Sequence, residues 1–282
     1  MISPSSPRHR RAGRSTRFRD RYLPVIISIG TVLLVFWLIR SAVVQAEQWP
    51  RIKAQFFDTS AMREIFPQVL RGFGVNMAVW SISLLVIAVW ALVLAVFRSL
   101  RGPWFAPLKV FSIIYIDLLR GLPSLLLVLL FGFGIPALQL PGLPVSSLFW
   151  GASAMIASYS AYAAEVYRSG MDAVHDGQRA AAKALGLSQL QALRFAILPQ
   201  AVRNVVPSLL NLAVALQKDV ALLSVVGVRD AVREAQIYTA RTFNYSSLVA
   251  AALLFLIATI PMARLTDYVT RKDQERRLQK TT

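Results

Sequence analysis

YSAYAAEVYRSGMDAVHDGQRAAAKALGLSQLQALRFAILPQ, residues 159–200, is the stretch whose reading decides the fold. It leaves an apolar run at Arg168, turns alanine-rich and basic, and closes at Leu198-Pro199-Gln200 before the next apolar run. The alanines from Ala180 to Ala184 give nearly maximal helix propensity. Gly186 follows where a helix ends, because glycine takes the left-handed C′ conformation without strain. Ser188 and Gln191 have capping-box spacing for a second short helix, which Pro199 is expected to terminate. The stretch reads as two short helices with a sharp bend between them, forming a polar loop between two membrane spans.

The rest of the chain agrees with that placement. The 282 residues are 56% hydrophobic with mean hydropathy +0.53, and several apolar runs exceed the roughly 18 residues needed to cross a bilayer as a helix. The fold class is therefore all-α, a polytopic membrane protein. Cysteine is absent and the two histidines, His9 and His175, are scattered; disulfides, thiolate sites and a metal centre are not expected. The formal charge of +17 lies in tails and loops between apolar runs, which fits lipid headgroups and the positive-inside rule, and nucleic acid is not an expected partner. No phosphate-binding loop, nucleophile elbow or H-E-x-x-H motif occurs, so no catalytic residue is assigned.

Working outward, residues 1–22 are arginine- and serine-rich and read as a disordered cytoplasmic tail. Residues 23–44 hold an uncleaved first span, and 45–71 an outside loop resting on the interface through Trp49, Phe56 and Phe57. A core over 72–268 carries five further spans, at about 72–97, 110–135, 146–166, 205–228 and 248–265. Within it, 168–204 is the cytoplasmic loop, 136–144 an outside turn, and 229–246 an outside segment with a short interfacial helix. A basic cytoplasmic tail occupies 269–282. Six spans put both termini inside and satisfy the lysine and arginine bias at every loop.

Charges inside the spans are expensive and are candidates for a transport path. Asp117 and Arg120 share a helical face just before the Gly121/Pro123 interruption, and either neutralise each other or line the path. Glu165 and Arg168 repeat the i,i+3 spacing and suit a salt bridge at the membrane boundary. Lys218 and Asp219 lie deep in the fifth span, either as an internal ion pair that fixes packing or in contact with solute.

The loop pattern of Gly177, Gln178, Ala181, Ala182, Ala184, Leu185, Gly186, Leu187 and Ser188, followed by Leu198, Pro199, Gln200 and Ala201, resembles the EAA loop of ABC importer permeases, in the form found in the polar amino acid subfamily. YIDLLRGLPSLL, starting at Tyr115, is similar to a second segment of the same permeases, with Asp117 for a glutamate, Leu122 for a threonine and Ser124 for a leucine. Departures occur at Ala180, in place of the glutamate that names the loop, at Ala196, in place of a larger aliphatic residue, and at Val220-Ala221, where the family has two hydroxyl residues.

The resemblance implies a type I ABC importer membrane subunit in the bacterial plasma (inner) membrane. Its loop would dock on ATPase subunits, which hold the ATP and magnesium; this chain would hold no cofactor. A second permease subunit, identical or related, would complete the path, and an extracytoplasmic amino acid binding protein would deliver the solute. The alternative is an ion-coupled secondary transporter or channel that uses Asp117, Glu165, Lys218 and Asp219.

Overall fold

The computed structural model describes residues 15–100 and 102–278, and its regular elements are all helical. Residues 1–14 and 279–282, read above as parts of the two tails, lie outside the described residues. The chain divides into two units, Met1–Ala54 and Gln55–Thr282.

In the first unit, helix α1 (Ser15–Val44) contains the expected first span and begins earlier, within the stretch read as tail. The expected outside loop at 45–71 is largely helix: α2 is Trp49–Phe56 and α3 is Thr59–Ser99. Asp58 is the reason α3 starts so early, since its carboxylate accepts the Ser60 and Ala61 N–H groups at 2.9 and 3.2 Å and satisfies donors that a helix start leaves open. With 41 residues, α3 is roughly 60 Å long, about twice the hydrocarbon thickness of a bilayer.

The next span is broken. Helices α4 (Ala106–Gly121) and α5 (Ser124–Ala137) meet at 103°. Pro123 forces the residue before it out of the helical region, and Leu122 is extended at φ −102°, ψ 140°.

Helix α6 (Ser147–Asp172) is the central strut, packing on α3, α4 and α5. Its buried face is made of Gly151, Ala154, Ser158, Ser160, Ala161, Ala163, Ala164 and Gly170 with Met155 and Tyr159. Small residues let neighbouring backbones approach closely. At Gly170 an added Cβ would lie 2.3 Å from Val205 Cγ1 and 2.8 Å from the Ala201 carbonyl oxygen.

The loop helix α7 (Asp176–Ala184) leads to α8, a continuous element over Gln189–Val226. Pro199 therefore does not end the second loop helix. A wide turn over Ala192–Ile197 with π-type geometry precedes it, and a π-turn is one way a helix absorbs a residue without an N–H. The last turns, Val220–Val226, tighten to 3₁₀ geometry and stop at Gly227, φ +83°. Helix α9 (Ala231–Thr242) is capped by Asp230, and α10 (Ser246–Leu278) runs well into the expected basic tail.

Among the described residues, four helices are long and apolar enough to cross a membrane, and five if the bent pair counts as one span. The expected span not among them, the fourth in chain order at 146–166, corresponds to α6. Its serines and small residues lower its apolarity because it is packed mainly against protein, where lipid-facing bulk is not needed. The core of the second unit is built from Leu94, Ile116, Val128, Met155, Leu216 and Leu223, all buried.

Candidate functional site

The loop residues are assembled by local capping chemistry. His175 Nδ1 accepts the Gly177 N–H at 3.0 Å just as α7 begins. At the other end Gly186 has φ +75°, and Leu187 N–H reaches back to the Ala182 carbonyl at 3.1 Å, the six-to-one bond of a Schellman ending. Ser188 Oγ then accepts the Gln191 N–H at 3.3 Å while Gln191 Oε1 accepts the Ser188 N–H at 2.9 Å. Both halves of the expected capping box are present.

Two motif residues distant in sequence also meet, because Gln200 Nε2 donates to Gln178 Oε1 at 3.5 Å and to the Ala196 carbonyl at 3.1 Å. Leu198 and Pro199 hold the start of the straight part of α8. Ala182 is buried, whereas Gly177, Ala180, Ala181, Ala184 and Leu185 are exposed. Leu185, Leu190 and Phe195 present apolar side chains to the surface, Leu185 at 79% exposure. An apolar tip on a polar loop is the anatomy of an interaction surface.

The charged residues arrange themselves differently from their sequence spacing. Asp117 and Arg120 are both exposed, and among the described residues they form no ion pair with each other. Arg120 lies instead over the ring of Tyr162, 5.6 Å from its centroid, within cation–π range. Lys218 is exposed and makes no ion pair with Asp219 among the described residues. Asp219 accepts a hydrogen bond from the Tyr159 hydroxyl at 2.7 Å, so the expected internal ion pair is replaced by a tyrosine that sequence spacing could not reveal.

The Glu165–Arg168 bridge does form, with Arg168 Nε donating to Glu165 Oε1 at 2.9 Å. It is enlarged by Arg98 from the last turn of α3, 2.9 Å from Glu165 Oε2, and by Asp172, which pairs with Arg168.

These features lie along one helix. Tyr159, Tyr162 and Glu165 recur every three residues on α6, so they share a face. The tyrosine rings are 6.4 Å apart. Asp219 is attached to the first, Arg120 to the second, and the arginine pair to the carboxylate a turn further on.

Residues 104–272, which include the row and the capped loop, match the family model of the binding-protein-dependent transport system inner membrane component. The chain belongs to that family. The arginine transport system permease protein ArtQ of Bacillus subtilis is 30% identical over 76% of this chain and 96% of its own length. A probable amino-acid ABC transporter permease of Sinorhizobium fredii, y4tG, is 35% identical over 73% of this chain and 87% of its own. A crystal structure of an amino acid ABC transporter with histidines superposes with TM-score 0.68 at 28% identity, covering 76% of this chain and 98% of that one. The permease family accounts for the helical architecture and for the inner-membrane setting, and it does not favour the ion-coupled alternative.

Proposed function

We propose that this permease is the path-forming subunit of an ATP-driven amino acid importer, coupled to a separate ATPase through residues 168–204. The observation that carries the reading is the bent pair of capped helices at Gly186, with Leu185, Leu190 and Phe195 exposed around it. An ion-driven carrier has no use for such a rigid apolar knob, while a subunit that must be pushed by a partner does. ATP and magnesium belong on that partner. A second permease subunit completes the path, an extracytoplasmic binding protein delivers the solute, and both termini face the cytoplasm.

Asp117, Arg120, Glu165, Lys218 and Asp219 are the candidate path residues. ATP binding closes the ATPase pair and moves α7; α6 and α8, which flank the loop, then exchange inward-facing and outward-facing arrangements. The ligand shifts that balance only through contacts that differ between the two states.

The test is co-purification of the native complex followed by reconstituted uptake. Wild type should bring down an ATPase subunit and support ATP-dependent uptake of an amino acid, and Leu185→Asp should lose the ATPase. Single cysteines at Ser188 should label from inside and at Ser60 and Thr242 from outside. Outside labelling of Ser188 overturns the assignment of the loop.

A further inference from the structure

Resting on the reading of residues 168–204 as the coupling loop, we infer that His175 is a pH-operated cap on α7: a neutral imidazole closes the first turn of that helix, and protonation opens it and weakens coupling to the ATPase. His175 stands immediately before Asp176, where α7 begins. Its Nδ1 accepts the Gly177 N–H at 3.0 Å and its carbonyl accepts the Gln178 N–H at 2.9 Å. This is an N-cap, in which a side-chain acceptor satisfies one of the N–H groups that a helix start leaves open. The ring fits its place closely, since a Cβ added at Gly177 would lie 3.0 Å from Nδ1.

The usual caps are serine, threonine, aspartate and asparagine, whose oxygens accept throughout the neutral range. An imidazole nitrogen accepts only while its lone pair is free, which here requires a neutral ring with its proton on Nε2. Protonation then acts twice in one direction. It turns Nδ1 into a donor aimed at another donor, and it places a positive charge at the positive end of the helix dipole. Histidine is the side chain whose unperturbed titration, near about pH 6.5, falls in this range. The cap is therefore present above the titration of the ring and lost as pH falls through it. That first turn also carries Gln178, which Gln200 of α8 reaches at 3.5 Å, so its opening loosens α7 from the helix it has to move.

The charged groups around the cap do not reverse that sign. Asp172, at the end of α6, is paired with Arg168. Arg194 lies on the wide turn of α8 that packs against α7, with its guanidinium over the Phe195 ring at 5.4 Å. On α7 itself Asp176 follows the cap, and Arg179 and Lys183 come next in sequence. Among the described residues neither carboxylate forms an ion pair with His175, so no counter-charge holds a charged ring in the capping position.

Two measurements test the cap, each from about pH 8 to about pH 5.5, across the histidine range. The first is hydrogen exchange of residues 176–184 in the full chain in detergent, and the second is solute moved per ATP hydrolysed by the full complex in proteoliposomes. Wild type and His175→Ala are each compared with His175→Asn at the same pH, which removes the pH dependence of exchange chemistry and of the partner subunits. Asparagine caps without titrating. Wild type should match it at the high end and exchange roughly three- to tenfold faster at the low end, the fold-change of a lost cap. His175→Ala should exchange faster than His175→Asn at every pH. Solute moved per ATP should follow the same pattern, falling in wild type with acid and low throughout in His175→Ala. Asp176→Asn should keep the wild-type response, because the titrating acceptor is Nδ1.

Parallel exchange in wild type and His175→Asn at every pH overturns the switch and leaves the transport reading standing. Equal protection in His175→Ala and His175→Asn at the high end overturns it too, since the cap would then close nothing. Exchange that responds to pH while solute moved per ATP does not overturns the link from the cap to the ATPase. Loss of the response in Asp176→Asn assigns the titration to that carboxylate and overturns the role of Nδ1. No ATP-dependent uptake by the wild-type complex overturns the transport reading and the coupling role with it, and the exchange comparison still decides whether His175 is a titrating cap.

Discussion

The Tyr159 hydroxyl donates to Asp219 Oδ2 at 2.7 Å, joining the middle of α6 to the point where α8 tightens into its 3₁₀ turns. Tyr159→Phe keeps the ring and its packing and removes only that donor. A hydrogen bond to a charged group contributes about 1.5–3 kcal/mol when buried, and partial exposure of Asp219 brings the expected loss toward about 1 kcal/mol. The variant should unfold a few degrees lower in detergent. An unchanged melting temperature would show that water replaces the hydroxyl and that the junction is not held there.

Gly72 and Gly74 sit two residues apart in α3 and should respond in opposite directions. A Cβ at Gly72 would lie 2.4 Å from the Asp230 carbonyl carbon and 2.6 Å from Ala231 N, both backbone atoms, whereas nothing lies within 4 Å of one at Gly74. Gly72→Ala must push α9 away and should cost about 1–3 kcal/mol, typical of overpacking. Gly74→Ala should stabilise by about 0.4–1 kcal/mol through the unfolded chain and helix propensity. Thermal unfolding of both variants in detergent checks the pair, and equal shifts would mean that α3 and α9 are not in such close contact.

At Gly186 the backbone conformation, φ +75° with open space around it, makes strain the only penalty for a side chain. Gly186→Val should therefore leave expression intact and weaken ATPase association or uncouple hydrolysis from uptake, because the bend can no longer form cheaply. Ala180 is exposed on the same loop, so Ala180→Glu should be tolerated. ATP hydrolysis and uptake measured on the same reconstituted complexes separate the outcomes. Normal coupling in Gly186→Val would remove the case for a required bend.

What could be read from sequence was local chemistry. Gly186, Ser188 and Gln191 act on neighbours within a few residues, so spacing alone exposed the capped bend. Pro199 misled because the rule that proline ends a helix is also local, and the preceding π-turn that accommodates it depends on packing of the whole segment. The early start of α3 had a readable signal in Asp58, a favoured N-cap residue, but the charged residues after it suggested a loop. The partners of Asp219, Arg120 and Glu165 lie 42 to 67 residues away in sequence, and no periodicity reports contacts across such distances.

Asp230 links stability to pH. It is 1% exposed, and burial pushes its carboxyl above the ordinary aspartate range, against hydrogen bonds from the Arg233 N–H and the Asn76 amide that pull it down. Folding therefore favours the protonated acid. The contribution is full below the unfolded aspartate value of about 3.9 and is lost as pH rises through the higher folded value. Asp230→Asn still caps α9 but cannot titrate, and its amide meets the donor amide of Asn76, so its stability is lower throughout. The readout is the slope: the advantage of wild type over the variant, measured by thermal unfolding in detergent, should shrink as pH rises above about 4 and then level off. An advantage that grows with pH would mean that the ionised carboxylate is the favoured folded form.

Asp117 and Arg120 test whether helical spacing alone makes a pair. If they neutralised each other, removing one would strand the other, and Asp117→Asn combined with Arg120→Gln would be better tolerated than either single change. The structure instead leaves Asp117 exposed and seats Arg120 on Tyr162 at 5.6 Å. The two substitutions should therefore add, with a coupling energy within about 0.5 kcal/mol in a double-mutant cycle on detergent-solubilised protein. Their functional effects should also separate. Both single variants and the double variant should assemble equally well, and the uptake loss in the double variant should be the product of the two single losses. Comparing uptake at equal assembly is essential, because a folding defect lowers both. If Asp117→Asn restores uptake to Arg120→Gln, the two side chains act as one neutralised unit, and the cation–π seat on Tyr162 is not what holds Arg120 in place.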